Sequence, residues 1–447
     1  MRQAKDLTVG SITRHLYTIA LPIMGTSFIH MAYSFTDMAW LGRLSSKSVA
    51  AVGTISVFMW IAHSIAALTK TGAEVTISQS IGAGKSDEAR HFASHCSTIS
   101  ILLGFVVALF FGLFANDLID LYRVEADVHA EALVYMYITL LGYPIMFLSS
   151  MLFGLYNAVG HSSVPFRTLG LGLLLNMILD PLLIHVAGWG VAGAAWATVI
   201  SEVVVSLIFL YQLRYRDRLF DDFPWLVRLR WQWVWRILKI GTPVAALNVL
   251  FAALAIYMGR MASSVGGHIG VATLTTGGQL EALTWNTSQG ITTALCTIVG
   301  QNWAAGRLER VWQAYRRALG FTLTLGLLGG LFFIFWGEAF FSLIVPEPEA
   351  YYSGGIYLRI SGYSQIFMMA EITTQGLFYG MGRSSLPAVI SIAGNYLRIP
   401  LVLLFLSWGW GLEGVWWAIS LSSMLKGLAA LLSLLWLRKR MPRPEGL

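Results

Sequence analysis

Charged residues and cysteines are scarce in this chain. Only 12% of its 447 residues are charged, against about 25% in a typical soluble domain, and 56% are hydrophobic. This composition excludes a soluble globular protein. Cys96 and Cys296 lie far apart in the sequence, so they indicate neither a disulfide framework nor a metal site. A cleavable signal pattern is also lacking, because the first apolar run already has the length of a membrane span.

Long apolar runs fill the chain instead. A run of roughly 20 apolar residues can cross a hydrocarbon core of about 30 Å, and we count about twelve such runs. They predict an all-α membrane protein with twelve transmembrane helices. The runs cover residues 16–41, 49–81, 91–115, 130–157, 165–187, 190–212, 237–262, 271–300, 312–345, 353–380, 386–407 and 411–437.

Basic residues collect in alternate loops between these runs and account for the net charge of +7. Lys85 and Arg90 follow the second run, for example, whereas Asp117 and Asp120 follow the third. Because positive residues stay on the cytoplasmic side, the pattern predicts a multi-pass protein of the bacterial inner membrane with both termini in the cytoplasm. The excess charge therefore reflects topology and does not indicate nucleic-acid binding.

The two halves of the chain repeat each other. Residues 155–165 are echoed by residues 377–387, an offset of 222 residues. The repeat predicts two pseudo-symmetric six-helix bundles, 1–212 and 236–447, around a central cavity at their seam. The polar stretch 213–235 is predicted to be a cytoplasmic linker, and its tryptophans suit a helix lying at the membrane interface.

Ionisable side chains inside the spans are the most informative residues, because each costs on the order of 2.5–3.5 kcal/mol at mid-bilayer. Three helices of the first half each carry a polar face. Such faces must meet one another or water rather than lipid, so we expect them to converge in the outer part of this half. The three faces are His30 with Tyr33 and Asp37, Asn176 with Asp180, and Thr198 with Glu202.

Asp37 and Asp180 are the predicted ion-coupling pair. Two carboxylates close together in a low-dielectric site cannot both ionise at low cost, so one of them is expected to bind and release a proton. The same pocket could instead hold Na⁺ through oxygen atoms of Asp37, Asn176, Asp180 and Thr198. The residues do not choose between the two ions, and they indicate no cofactor.

Two prolines lie within the helices that carry these acids. Pro22 removes the hydrogen bond to the carbonyl of Thr18, and Pro181 removes the one to the carbonyl of Met177. Each proline is therefore predicted to be a hinge, and a bendable helix that carries a titratable group can convert protonation into a change of shape.

The second half carries different polar residues. Its first span lacks an acid, and Ile399 stands where the first half has Asp180. The two halves are therefore expected to share a scaffold but to differ in their role. Candidates for a substrate cavity or a second site are Glu202, Glu281, Glu371 and His30.

These motifs resemble the multidrug and toxic compound extrusion (MATE) family along essentially the whole chain. The resemblance implies two six-helix bundles around a central cavity, and cation-coupled export of organic cations and other amphipathic drugs. The matching motifs are Pro22 with Tyr33…Asp37 and Trp40-Leu41-Gly42-Arg43, Gly300-Gln301…Ala305-Gly306, Gly-x-Ser-Ser-x-Pro at 160–165 and 382–387, and Asn176-x-x-x-Asp180-Pro181.

Within the family, the chain is most similar to the DinF-type branch. In that branch the counterparts of five polar residues form the ion-coupling pocket, and the counterpart of Pro22 bends the first helix. Glu371 departs from the DinF-type pattern, because an acid in the tenth span resembles the pattern of the NorM-type branch. That branch pairs it with an acid in the seventh span, and this sequence lacks such an acid there. The five residues are Tyr33, Asp37, Asn176, Asp180 and Thr198.

The sequence therefore predicts a multidrug antiporter, not an enzyme, with proton coupling favoured over Na⁺. Its predicted partners are organic-cation or amphipathic drugs and the lipid bilayer, and it is expected to be a monomer. One alternative is a lipid-linked oligosaccharide flippase, for which the candidate bases are Arg359, Arg398 and Lys426. A membrane-embedded transferase is less well supported, because no clustered catalytic residues lie near a loop.

Overall fold

The computed structural model describes residues 4–122, 124–220, 223–345 and 347–440, without the side chains of residues 34, 35, 38, 39, 42, 46 and 436–440. Helices account for almost all of these residues, and no strand occurs among them. The helices are α1 (Ile12–Leu44), α2 (Ser46–Gly82), α3 (Ser86–Leu113), α4 (Ala115–Asp120), α5 (Ala126–Ala158), α6 (Ser163–Pro181), α7 (Gly190–Tyr211), α8 (Trp231–Ala304), α9 (Leu308–Ser342), α10 (Pro348–Gly380), α11 (Ser385–Tyr396), α12 (Arg398–Ser407) and α13 (Gly411–Arg440).

Most of these helical segments are long enough to cross a membrane. Nine segments within the described residues are both long enough and apolar enough, with α11 and α12 together forming one of them. α8 contains two spans, because the φ of 57° and ψ of −141° at Gly267 interrupt its 74 residues. α1 and α10 have 33 residues each, about 50 Å at 1.5 Å per residue, and carry more polar side chains. The predicted all-α membrane fold is confirmed.

The sequence repeat is also a repeat of backbone conformation. Gly160 closes α5 with a φ of 77°, and Gly382 closes α10 with a φ of 74°. Their amides donate to the carbonyls of Asn157 at 2.9 Å and Tyr379 at 2.8 Å. A left-handed residue that caps a helix in this way is usually glycine, so the repeated glycines mark equivalent helix ends.

Contacts divide the chain into two compact units. The first contains residues up to Val9 and Leu21–Ala246, and the second contains Gly10–Ala20 and the residues from Leu247 onward. Large side chains from several helices fill each unit. Buried residues of the first include Phe58, Phe111, Tyr143 and Phe147. Those of the second include Phe333, Phe341, Tyr357 and Trp416.

Two long helices contribute residues to both units. Each contains a proline near the residue at which the helix passes from one unit to the other. Within α1, the change falls between Ala20 and Leu21, next to Pro22. Within α8, it falls between Ala246 and Leu247, three residues after Pro243. The division of the chain at 1–212, 213–235 and 236–447 remains a prediction.

The predicted linker, residues 213–235, is helical at both ends and irregular between them, and α8 already begins at Trp231. α7 continues into a π-helical turn, Gln212–Asp217, and Arg218 then adopts a φ of 46°, which ends the helix. The described residues from 223 to 230 are irregular and are held by α3, since Ser97 Oγ donates to the carbonyl of Trp225 at 2.5 Å. These side-chain hydrogen bonds satisfy backbone groups that a helix would otherwise pair internally.

Candidate functional site

The polar faces of α6 and α7 meet because glycines allow these helices to touch. A Cβ at Gly172 would overlap Val205, and a Cβ at Gly193 would lie 2.6 Å from the backbone of Leu183. α6 ends at Pro181 and continues as a π-helical turn, Leu182–Val186. Turns of this kind often occur at functional sites, and this one begins two residues after Asp180.

Asp37, Asn176 and Asp180 lie together in the first unit. Asp37 of α1 is within hydrogen-bonding reach of both Asp180 and Asn176. Asn176 and Asp180 are fully buried, and Asn176 Nδ2 donates to Asp180 Oδ1 at 3.2 Å. A second acid and an amide thus lie beside Asp37. We call these three residues the acidic cluster.

Hydroxyl groups surround the acidic cluster. Tyr33 Oη donates to the carbonyl of Gly172 at 3.1 Å, which joins α1 to α6, and the ring lies near Ser201. Thr198 Oγ1 donates to the carbonyl of Ala194 at 3.1 Å, so its hydrogen atom is engaged within α7. The oxygen of Thr198 keeps a lone pair with which it can accept a hydrogen bond or bind a cation.

Among the described residues, three oxygen atoms of the acidic cluster are buried without a hydrogen-bond partner: Asp37 Oδ1, Asp180 Oδ2 and Asn176 Oδ1. Buried acceptors of this kind are costly unless a donor or a cation is added. A single proton shared by the two carboxyl groups, or one small monovalent cation, would supply the missing partner. Within the described residues, no group of three or more His, Cys, Asp or Glu side chains is arranged to hold a metal ion.

The remaining candidate residues of the first unit lie around this cluster. Glu202 is partly buried on α7, close enough to Tyr33 to act on it electrostatically. His30 of α1 is exposed and lies near His63 and Lys70 of α2, which are not part of the acidic cluster. Asp37 and His30 therefore share a helix but have different surroundings.

Glu281 and Glu371 belong to the second unit, where each has its own hydrogen-bond donors. Tyr357 Oη donates to Glu281 Oε2 at 2.8 Å, and Gln365 Nε2 donates to Glu281 Oε1 at 3.1 Å. Arg398 of α12 lies close enough to Glu281 to interact with it electrostatically. Glu281 is thus a paired acid in this unit.

Glu371 forms a buried ion pair with Lys426 of α13. Their Oε2 and Nζ atoms are 3.1 Å apart, and Nζ also donates to Asn395 Oδ1 at 2.9 Å. Ser391 Oγ donates to the other carboxylate oxygen at 2.6 Å. A Cβ at Gly394 would overlap the stem of Lys426, so this glycine makes room for the lysine to reach the acid. The second unit therefore neutralises Glu371 with a base of its own.

Sequence reasoning did not identify three side chains of these groups as site residues. Tyr135 of α5 is 2% exposed and lies beside Thr198 and both acids, but an uncharged tyrosine in an apolar run gives no signal. Lys70 carries charge inside the second run, which is the signal that could have identified it. Lys426 was considered only as a scattered base, because its orientation depends on how α13 packs.

Comparisons with known proteins give a consistent result. The sequence model of the MatE family matches residues 22–182 and 243–404. A protein of Thermotoga maritima named probable multidrug resistance protein NorM is 26% identical over 91% of this chain and 89% of its own length. A protein of Shewanella oneidensis named FAD transporter is 24% identical, with 96% of each chain covered. A crystal structure of MATE in the bent conformation has a TM-score of 0.90 and 24% identity, covering 97% of this chain and 96% of its own.

Proposed function

The chain belongs to the multidrug and toxic compound extrusion family, and on that premise we propose that it is a cation-coupled antiporter that exports organic cations and other amphipathic drugs. Relatives named as multidrug resistance proteins support export of drugs. In this proposal the protein is a monomer in the bacterial inner membrane, with both termini in the cytoplasm. It needs no cofactor apart from the coupling ion. Assignment to the DinF-type branch remains a prediction.

The observation that carries the proposal is that Asp37 lies within hydrogen-bonding reach of a second acid, Asp180. Two adjacent carboxyl groups hold one proton more readily than two negative charges. A proton entering the acidic cluster would therefore change its charge and its hydrogen bonds together. We favour the proton over Na⁺ because the two carboxyl groups alone can hold it, whereas Na⁺ would need further oxygen ligands.

Pro22 is the proposed link between the acidic cluster and the shape of the protein. α1 changes from the second unit to the first beside this proline, where its backbone lacks one hydrogen bond. Asp37 lies four turns further along the same helix. A change in charge at Asp37 can thus alter the bend at Pro22 and release bound drug.

The ion gradient supplies enough free energy for this cycle. One proton that moves down one pH unit yields about 1.4 kcal/mol. A membrane potential adds about 2.3 kcal/mol per 100 mV. These amounts are comparable with the few kcal/mol that separate two conformations of a switching protein.

The basic residues that an oligosaccharide flippase would need are largely engaged within the second unit. Lys426 is paired with Glu371, and Arg398 Nε donates to Ser422 Oγ at 2.9 Å. A pyrophosphate group would have to compete with these contacts. The flippase and transferase alternatives therefore gain no support from the charges.

The decisive experiment measures efflux of ethidium from proteoliposomes that contain the full chain. A pH gradient and a Na⁺ gradient are imposed separately, and the native chain is compared with Asp37→Asn. We expect efflux to follow the pH gradient and to fall to the passive leak in the variant. Glu338→Gln, which alters an exposed acid on α9, is the matched control and should transport normally. Efflux that follows neither gradient, or that survives Asp37→Asn, would refute the mechanism.

A further inference from the structure

The irregular part of the linker is bound to one side of α3 at several points. The backbone N–H of Val227 donates to Thr98 Oγ1 at 3.0 Å. Further along, the backbone N–H of Arg230 donates to His95 Nε2 at 3.3 Å. These bonds add to the one that the Trp225 carbonyl accepts from α3. The path of the linker is therefore fixed although its backbone is not helical.

The first turns of α8 continue this packing. Trp233 lies against α3, where its ring stacks on His91 with ring centres 5.3 Å apart and meets Phe92 edge-on at 4.8 Å. Trp231 and Trp235 lie on the other face of α8, since residues four apart share a face. Their rings are 5.8 Å apart, and the residues are 68% and 54% exposed. One tryptophan thus anchors the helix to α3, and two lie on the outside of the unit.

The linker meets α3 close to the level at which this span begins to face lipid. Residues 92–100 of α3 are all buried. From Leu102 onward the outer face of the span is apolar and exposed, as at Phe105 and Val106. Thr98, which binds the linker, precedes Leu102 by four residues, about 6 Å along the helix. The linker therefore lies near the boundary between lipid and water, where exposed tryptophans are usually found.

The outer side of this stretch combines basic and apolar side chains. Arg228 and Arg230 are exposed, and so are Leu226 and Leu229 between and before them. The described residues from 223 to 246 contain four bases and no acid. Positive and apolar groups at a membrane surface are complementary to an anionic headgroup and its acyl chains. We call this region the linker surface. It consists of Leu226, Arg228, Leu229, Arg230, Trp231 and Trp235.

The sequence repeat indicates that the shared scaffold does not require the linker surface. When Pro22 is aligned with Pro243, an offset of 221 residues, the start of α1 has Gly10 and Arg14 at the positions of the two exposed tryptophans of α8. α1 therefore begins without an aromatic pair. The exposed aromatic and basic side chains belong to one half of the repeat only, which favours a role in binding over a role in folding.

We infer that the linker surface binds an anionic phospholipid of the leaflet that borders it. The lipid phosphate accepts hydrogen bonds from the guanidinium groups of Arg228 and Arg230, because guanidinium matches the geometry of phosphate oxygens. The acyl chains pack on the tryptophans and leucines. A soluble anion would gain from the bases alone, so the exposed apolar side chains favour a lipid. This binding does not depend on the proposed export of drugs.

A matched pair of lipids tests the headgroup. Phosphatidylglycerol and phosphatidylcholine with identical acyl chains are titrated onto the purified full chain, and bound lipid is measured by native mass spectrometry. Only phosphatidylglycerol has a net negative charge, so the native chain should bind it more tightly. Arg228→Gln with Arg230→Gln should weaken that binding by roughly 30-fold, about 2 kcal/mol for two bases, and leave binding of phosphatidylcholine unchanged. Arg228→Lys with Arg230→Lys should retain most of the affinity.

The matched control removes the same number of exposed bases from the second unit, through Arg316→Gln with Arg383→Gln. Binding of phosphatidylglycerol to this variant should stay close to native. Equal losses in the two double variants would indicate a diffuse attraction to positive charge and would overturn the assignment. A native chain that binds the two lipids equally would also overturn it, and that measurement needs no variant.

Glycerol 3-phosphate tests whether the surface takes an anion without acyl chains. It carries a phosphate but cannot pack on the tryptophans, so an excess should not displace phosphatidylglycerol. Trp231→Ala with Trp235→Ala should weaken binding of both lipids, because their acyl chains lose this contact. Displacement by glycerol 3-phosphate, or unchanged lipid binding in the tryptophan variant, would overturn the assignment of a lipid. Arg236, which pairs with Glu88 at 3.1 Å, is intact in every variant and keeps the start of α8 anchored.

Discussion

The two units treat their membrane-embedded acids in opposite ways. In the first, Asp37 lies beside another acid, and an oxygen atom of each carboxylate has no hydrogen-bond partner in the part of the chain that the structure describes. In the second, Glu371 is held 3.1 Å from Lys426 and accepts a further hydrogen bond from Ser391. A fixed ammonium stabilises the ionised acid, whereas two adjacent carboxyl groups favour uptake of a proton. A shared scaffold thus carries one acid that faces a second acid and one that faces a base.

The sequence repeat shows how small the underlying difference is. The offset of 222 residues places Ser149 where the second unit has Glu371, and the offset of 221 in the last span places Val205 where it has Lys426. Ser149 and Ser206 share a short hydrogen bond of 2.5 Å in the first unit. The counterpart of Glu371 thus makes a neutral contact with the residue next to Val205, whereas Glu371 itself forms a buried ion pair.

The largest effect is expected from Asp180→Asn. With only one acid left, we expect the proton to bind the two conformations of the antiport cycle with equal affinity. A ligand that binds two conformations equally does not shift their equilibrium. Gradient-driven efflux should therefore fall by about 100-fold or more. Initial efflux rates in proteoliposomes are the measurement. The matched variant in the second unit is Glu371→Gln with Lys426→Met, which removes both charges and should stay within about twofold of native, since replacing a whole buried pair is often nearly neutral. Equal losses in the two units would remove the contrast between them.

The next effect concerns stability. Lys426→Met alone leaves Glu371 buried without its base, which should cost roughly 3–5 kcal/mol of unfolding free energy. Addition of Glu371→Gln should restore most of that loss, because the uncompensated charge disappears. Both variants are compared with the native chain by tryptophan-monitored unfolding of the purified protein. A double variant no more stable than Lys426→Met would mean that packing of the lysine stem, and not its charge, stabilises this part of the second unit.

Much of the fold could be predicted because it depends on local properties. Span length and apolarity depend on consecutive residues, so the apolar runs were enough to predict the twelve helices. The convergence of Asp37, Asn176 and Asp180 followed from helical spacing and from the cost of exposing acids to lipid. The left-handed turns at Gly160 and Gly382 were marked by the repeated motifs that contain them.

The remainder depends on contacts between residues that are distant in sequence. Whether Lys426 reaches Glu371 depends on the room that Gly394 leaves between α11 and α13, which no spacing rule states. Tyr135 joins the site only through the packing of α5. Residues 223–230 are irregular, and Ser97 of α3, more than a hundred residues away, donates to the Trp225 carbonyl there. Pairing of charges is therefore the part of the site that sequence reasoning recovered least.

Moderate and equal losses of stability are expected from substitutions at two equivalent glycine contacts, one in each unit. Gly172 admits Val205 in the first unit, and Gly394 admits Lys426 in the second. Gly172→Ala and Gly394→Ala should each destabilise the protein by about 1–3 kcal/mol, because an added methyl group overfills a closed contact. Unfolding of the purified variants measures both. A large difference between the two would show that the equivalence of these contacts is only approximate.

The smallest effect is expected from Tyr33→Phe, which removes the hydrogen bond that Tyr33 donates to the Gly172 carbonyl. A neutral hydrogen bond contributes about 0.5–1.5 kcal/mol, so the unfolding free energy should fall by about 1 kcal/mol. Its counterpart is Tyr357→Phe, because Tyr357 donates to the Glu281 carboxylate at 2.8 Å, and a bond to a charged acceptor contributes about 1.5–3 kcal/mol.

The order of these two losses tests whether Glu281 is ionised in the folded protein. If Tyr357→Phe costs no more than Tyr33→Phe, then Glu281 is protonated, and the second unit would hold a titratable acid, as we propose for the first. A larger loss for Tyr357→Phe that shrinks as the pH falls would show an ionised Glu281 that gains a proton in acid. Only that result is consistent with a second unit whose acids are neutralised by their neighbours and a first unit whose acids are left to bind the coupling ion.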